Sequence, residues 1–263
     1  MMGDRAPALR NALARARAHA PFLARLLDQE TDLAAAMAAG DVPLAEGVTL
    51  ADPAMPVARA LRIERRRLAL TVAIGDLAGL LDLGDVTGAL TDFADAALDI
   101  AIRAAIAERT PDAAPCGFVA IALGKQGSGE LNYSSDIDPI LLFDPATLPC
   151  RPREAPEEAA VRIARRVVEL LQARDGDGYV LRVDLRLRPS PEVTPIALSV
   201  DAAISYYESM ALPWERAAFI RARAAAGDTA LGARFLETIR PFVWRRTLDF
   251  GAIRDIRANS RRS

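Results

Sequence analysis

Apolar residues recur at helical spacing from Ala6 to Thr110, which predicts an amino-terminal region built of helices. The pattern gives Ala6 to Leu27 with a break at Pro21, then Ala58 to Leu83, then Val86 to Glu108. The period changes at Cys116. Phe118 to Leu123 is a short apolar run bounded by Pro115 and Gly124, and Ile137 to Phe143 is a second, closed by Asp144 and Pro145; both predict buried strands. A helix is expected from about Glu154 to Arg174, ending in the turn Asp175-Gly176-Asp177-Gly178. Tyr179 to Leu187 alternates strictly between apolar and polar, the pattern of a half-buried strand. Helical spacing then returns over Asp201 to Ala211, Pro213 to Ala226 and Thr229 to about Arg240, with a further helical stretch before Ser263. The fold class expected is α+β: a helical region over 1–112, a small mixed sheet over 113–200, and a helical region over 201–263, expected to belong to a longer chain.

Composition narrows the chemistry. The 263 residues are 51% hydrophobic and 26% charged, enough to bury a sizeable core. A net charge of -2 supplies no global positive field, which disfavours a nucleic-acid substrate. Two cysteines, Cys116 and Cys150, and one histidine, His19, leave no thiolate or imidazole cluster for zinc or for Cys/His nucleophilic catalysis. No apolar stretch approaches the ~18 residues of a membrane span and no secretory leader is visible, so a cytoplasmic enzyme or binding protein is expected. Arginine carries nearly all the positive charge. Lys125 is the single lysine, a hint that arginine does not substitute there. The arginine run from Arg62 to Arg67 reads as a solvated helix face.

Asp136 and Asp138 stand at i and i+2 entering the second strand, so both carboxylates leave one face while Ile137 points to the other. Such a pair suits a divalent cation, although most Asp-x-Asp pairs are ordinary surface residues. The loop before it, with Gly124, Gly127, Ser128 and Gly129, could bring backbone N–H groups and the hydroxyls of Ser128, Ser134 and Ser135 against phosphate; taken alone it could equally be a plain turn. In the alternating segment, Asp184 shares a face with Arg182, Arg186 and Arg188. Taken alone, that reads first as a salt-bridge ladder. Beside the Asp-x-Asp strand, Asp184 becomes a third metal ligand and the arginines become phosphate binders.

The run from Gly124 to Asp138, Gly-Lys-Gln-Gly-Ser-Gly-Glu-Leu-Asn-Tyr-Ser-Ser-Asp-Ile-Asp, resembles the signature of glutamine synthetase adenylyltransferase, a bifunctional adenylyl-transferring and adenylyl-removing enzyme. Further segments agree in order: Val183 to Pro189, Tyr206-Tyr207-Glu208 with Trp214-Glu215-Arg216 and Arg221-Ala222-Arg223, and Arg240 to Val243 with Asp249 to Ile253. The likeness is dense from Phe118 to Arg257. It implies a nucleotidyltransferase fold of the DNA polymerase beta type, with Asp136, Asp138 and Asp184 as catalytic ligands of Mg²⁺ or Mn²⁺. Gly124, Lys125, Gly127, Ser128 and Ser135 would lie on the phosphate side with Arg182, Arg186 and Arg188. The closing segment through Ile253 resembles the adenylyl-removing half, which implies phosphorolysis of adenylyl-tyrosine on glutamine synthetase to give ADP. ATP-dependent adenylylation, transfer to a small molecule and a non-catalytic nucleotide-binding module stand as alternatives. Glutamine synthetase would be the protein partner, with room for a nitrogen-signalling regulatory protein. Three departures stand out: Gly127-Ser128-Gly129 replaces a Gly-Gly-Arg triplet, Pro139 replaces leucine, and Ser190-Pro191-Glu192-Val193 replaces glycines.

Overall fold

The computed structural model describes residues 5–42, 44 and 54–244; the segment Asp249 to Ile253 and the final helical stretch lie outside them. The described residues group into two compact units. One takes the chain up to Ala97 together with Gly129–Ser135 and Arg174–Val180; the other takes Leu98–Ser128, Asp136–Ala173 and the chain from Leu181 onward.

In the first unit, α1 (Ala6–His19) and α2 (Pro21–Gln29) are separated at Pro21, which starts α2 where a missing N–H costs nothing. A third helix that the pattern did not reveal, α3 (Thr31–Ala39), ends on Gly40 at φ 84°, the left-handed cap that glycine adopts without strain. Leu9, Leu27, Met37, Leu70 and Ile74 close a core between these helices and α4 (Val57–Leu77). The arginine run on α4 is no solvated face. Arg62 is 6% exposed and pairs with Asp175 at 2.6 Å, while Arg66 and Arg67 share Glu30, itself 8% exposed. Arg59 and Arg66 also reach Asp177, and Arg65 and Arg174 each stand 5.1 Å from the Tyr179 ring centre. Buried charge survives here because each charge has a partner.

Helix α5 (Leu83–Ala107) precedes the second unit's sheet. That sheet holds β1 (Phe118–Ala122), β2 (Pro139–Phe143), β3 (Ala197–Ser199) and β4 (Arg223–Gly227) in the order β3-β2-β1-β4. β1 runs antiparallel to both β2 and β4, and β2 runs parallel to β3. Every residue of β1 and β2 is buried, which is why they read as unbroken apolar runs rather than alternations. Val119, Ile121, Ile140 and Leu142 pack on Tyr207, Phe219 and Phe235 from α8 (Val200–Ser209), α9 (Pro213–Phe219) and α10 (Thr229–Val243). Between β1 and β2 lies the short helix α6 (Gly124–Gly127), and after β2 comes the amphipathic α7 (Pro156–Gln172).

Pro139 is tolerated for a definable reason. Leu123 N donates to Asp138 O, so Ala122 and Pro139 form the pair that exchanges no hydrogen bonds, and β3 begins to pair only at Leu141.

Two expected elements are overturned. Tyr179 to Leu187 does not form a strand; Val183 makes one isolated parallel bridge to Ile137. The Asp184 carboxylate accepts the N–H of Arg186, two residues on, and the Arg188 N–H returns to Leu185 O, so local turns take the backbone donors a ladder would need. The helix expected over Pro213 to Ala226 stops at Phe219. Arg223 to Gly227 becomes β4 instead, because pairing with β1 overrides the helical preference of its three alanines.

Candidate active site

The single rung between Ile137 and Val183 organises the acidic residues. Ile137 N donates to Arg182 O at 3.0 Å and Asp184 N donates to Ile137 O at 2.8 Å. Across a parallel rung the flanking residues of both segments turn to the same side. Asp136 therefore faces Arg182, and Asp138 comes near Asp184, with fully buried Ile137 directed the other way. The same-face reading of Asp136 and Asp138 holds here, and Asp184 joins them from a chain segment that is not a strand.

Arginines neutralise two of the carboxylates. Arg182 Nε is ion-paired with Asp136. Arg186 Nε donates to both oxygens of Asp184, at 3.0 and 2.7 Å, and its backbone N–H adds a third bond at 2.9 Å. Those bonds hold Asp184 below the usual carboxylate range. Asp138 differs. Burial first, then the charges of Asp184 and Asp136, push its carboxyl up to about 6, with Arg186 and Lys125 opposing. The site is short of positive charge at Asp138. Three carboxylate donors there suit a hard divalent cation, yet among the described residues no three Asp, Glu, His or Cys side chains converge tightly enough to grip an ion while Arg182 and Arg186 lie against two of them.

The glycine-rich loop sits at the same end of the sheet, because Leu123 closes β1 beside Asp138. Gly124 adopts φ 54°, and a Cβ there would stand 2.8 Å from Asp138 Oδ2, so a side chain would collide with the site. A Cβ on Gly127 would stand 2.3 Å from the carbonyl of Arg221. Lys125 is exposed beside them, and the Ser128 hydroxyl turns back to the carbonyls of Gly124 and Lys125. Ser135 lies in the segment that packs with the first unit, its hydroxyl donating to Asn132 Oδ1 at 2.9 Å. Arg188 is directed at neither phosphate side nor carboxylate: its guanidinium donates to the carbonyls of Leu185 and Pro191. Sequence reasoning named Arg221-Ala222-Arg223 only within the family likeness and not as site residues; Arg221, just before β4, and Arg223, its first residue, approach this loop, and their i, i+2 spacing was the available signal, obscured by the helical reading of that stretch.

The sequence model for glutamate-ammonia ligase adenylyltransferase matches residues 5–238. The chain belongs to that family. It is 47% identical over 260 residues to a bifunctional glutamine synthetase adenylyltransferase/adenylyl-removing enzyme of Caulobacter vibrioides, covering 94% of this chain and 26% of the relative. The same description is borne by a Xanthobacter autotrophicus relative, 49% identical over 216 residues, covering 78% of this chain and 22% of that one. A Rhizobium meliloti relative is 44% identical over 212 residues, covering 76% and 22% respectively. The chain thus spans about a quarter of the length of these curated relatives. Family membership extends the likeness into the helical region before Phe118, where sequence reasoning had found only composition. No helix of the described residues is long and apolar enough to cross a membrane.

Proposed function

We propose that this chain is a nucleotidyltransferase centre that removes AMP from an adenylylated tyrosine of glutamine synthetase by phosphorolysis. The observation that carries the reading is the grouping of Asp136, Asp138 and Asp184 on one side of the Ile137–Val183 rung, beside the loop that bears Lys125. A phosphate oxygen forms a bond to the α-phosphorus as the bond from that phosphorus to the tyrosine oxygen breaks. The electron pair leaves with the phenolate, which takes up a proton, and the products are ADP and free tyrosine. Mg²⁺ or Mn²⁺ held by the three carboxylates would neutralise charge developing on the phosphoryl oxygens. Such an ion would supply positive charge beside Asp138, which lies near both Asp184 and Asp136. Arg182 orients Asp136, and Arg186 orients Asp184 and keeps it ionised. Lys125 contributes a compact cation on the phosphate side.

The relatives' names carry both activities, so the direction rests on the likeness of Arg240 to Ile253 to the adenylyl-removing half. The test is product identification: adenylylated glutamine synthetase, Mg²⁺ and labelled inorganic phosphate should yield labelled ADP. Transfer of AMP from ATP onto unmodified glutamine synthetase, with no phosphate-dependent release, would assign the opposite half.

A further inference from the structure

Three arginines flank the acidic residues. Arg182 is on Asp136, Arg186 on Asp184, and Arg188 on two backbone carbonyls. A phosphate dianion brought against three carboxylates needs more positive charge than these three supply, and the sheet register indicates where further cations stand. Ala122, the last residue of β1, pairs with Pro139 of β2 on one side and with Arg223 of β4 on the other. Two interstrand steps separate those neighbours, ~10 Å in all, and the Gly124–Ser128 loop rises from the strand between them.

That loop is fastened to the chain entering β4 at three points. The Arg221 carbonyl approaches Gly127 so closely that a Cβ would stand 2.3 Å from it. Arg223 Nη2 donates to Gln126 O at 3.0 Å, and Arg221 Nη1 stands 3.5 Å from Ser128 Oγ. Arg223 is half-buried and acts on the loop backbone, whereas Arg221 is exposed, with its guanidinium at the rim of the loop. Carboxylates on the β2 side and guanidinium on the β4 side thus flank one glycine-rich loop, with the exposed ammonium of Lys125 on it.

We propose that Arg221, together with Lys125, forms a phosphate subsite that binds inorganic phosphate or the terminal phosphoryl group of a nucleoside diphosphate. The assignment rests on the nucleotidyltransferase reading above and adds the residue that holds the phosphoryl group remote from the ribose. A planar fork suits that group, because two N–H donors meet two phosphoryl oxygens.

Isothermal titration of ADP, AMP and inorganic phosphate, each with Mg²⁺, into the full chain separates the cases. Arg221→Ala should weaken ADP and inorganic phosphate binding by about tenfold or more, the scale of a lost charge-assisted hydrogen bond, and leave AMP binding unchanged. Loss for ADP alone would restrict the subsite to the terminal phosphoryl group of the nucleotide; loss for both extends it to free phosphate. Arg221→Lys should recover only part of the affinity. Arg162→Ala, which removes another largely exposed charge from α7, should change neither. In the transfer assay, Arg221→Ala should raise the phosphate concentration for half-maximal rate more than it lowers kcat. The subsite is wrong if ADP affinity in Arg221→Ala stays within about twofold of the unsubstituted chain, if AMP weakens as much as ADP, or if the unsubstituted chain binds neither ADP nor phosphate. Arg221-dependent ADP binding without AMP release from glutamine synthetase would keep the subsite and remove the reaction. Phosphate-dependent release with an unchanged phosphate requirement in Arg221→Ala would do the reverse.

Discussion

Replacing Arg109 by alanine removes the main partner of a carboxylate that has almost no access to water. Glu154 is 7% exposed and Arg109 13%, and Arg109 Nη2 stands 2.5 and 2.6 Å from the two Glu154 oxygens. Stripping one partner from a buried pair costs ~3–5 kcal/mol. Two contacts remain to soften the loss: the Arg151 N–H at 3.2 Å and the largely exposed Arg162 at 3.4 Å. An expected cost of ~2–3 kcal/mol near pH 7 follows. Burial raises the Glu154 pKa, but the Arg109 and Arg151 hydrogen bonds outweigh it and hold the group below its ordinary 4.5. A folded pKa below the unfolded one contributes stability that is complete above the unfolded value and is lost as pH falls through the folded value. The gap between wild type and Arg109→Ala should therefore narrow once pH drops below 4.5. Urea denaturation at several pH values reads this directly through the midpoint, provided the slope is unchanged. The double replacement Arg109→Met with Glu154→Leu should recover most of the loss, because no charge is then left buried alone. A penalty under ~0.5 kcal/mol for Arg109→Ala, or a double variant no more stable than the single one, refutes the reasoning.

Asp136→Asn and Asp138→Asn should each abolish nucleotidyl transfer with the fold intact by circular dichroism, and full activity in both would sink the assignment of the acidic residues. Asp138→Asn should also leave thermal stability in chelator undiminished, since burial and the neighbouring Asp184 and Asp136 disfavour the charge it removes. Lys125→Ala should weaken phosphate or nucleotide binding more than it alters the melting temperature, and Lys125→Arg should not restore it; full function of the arginine variant would strip the single lysine of chemical meaning. Gly127→Ala places a Cβ against the backbone carbonyl of Arg221 and should cost ~1–3 kcal/mol in urea unfolding; an unchanged midpoint would contradict the close approach.

What the sequence displayed clearly was whatever depends on local pattern. The strands Phe118–Ala122 and Pro139–Phe143 were readable because strands buried on both faces have no polar positions to confuse them. The nearness of the Asp-x-Asp pair to the glycine loop was readable because few residues separate them along the chain. Tyr179 to Leu187 misled because alternation says nothing about where backbone donors go, and Asp184 takes one for itself. The role of Arg62 to Arg67 was invisible for the opposite reason: Glu30 lies over 30 positions from Arg66, and Asp175 over 100 from Arg62, so no local window contains both partners. Arg188 shows the same limit within the site, since type and register placed it with the phosphate binders while its guanidinium closes the loop between Leu185 and Pro191.

The lone rung at Ile137 has a consequence for solvent exchange. Two amide protons, those of Ile137 and Asp184, are held by that rung, whereas Val119 to Ala122 of β1 each lie between two paired neighbours. Opening the rung releases both amides at once without unpicking the sheet, so they should exchange with deuterium as a linked pair, faster than the amides of β1. Any ligand that draws Asp184 toward Asp136 and Asp138 must slow both amides together, which gives a clock for the spacing of the carboxylates that runs in the resting protein, with no turnover required.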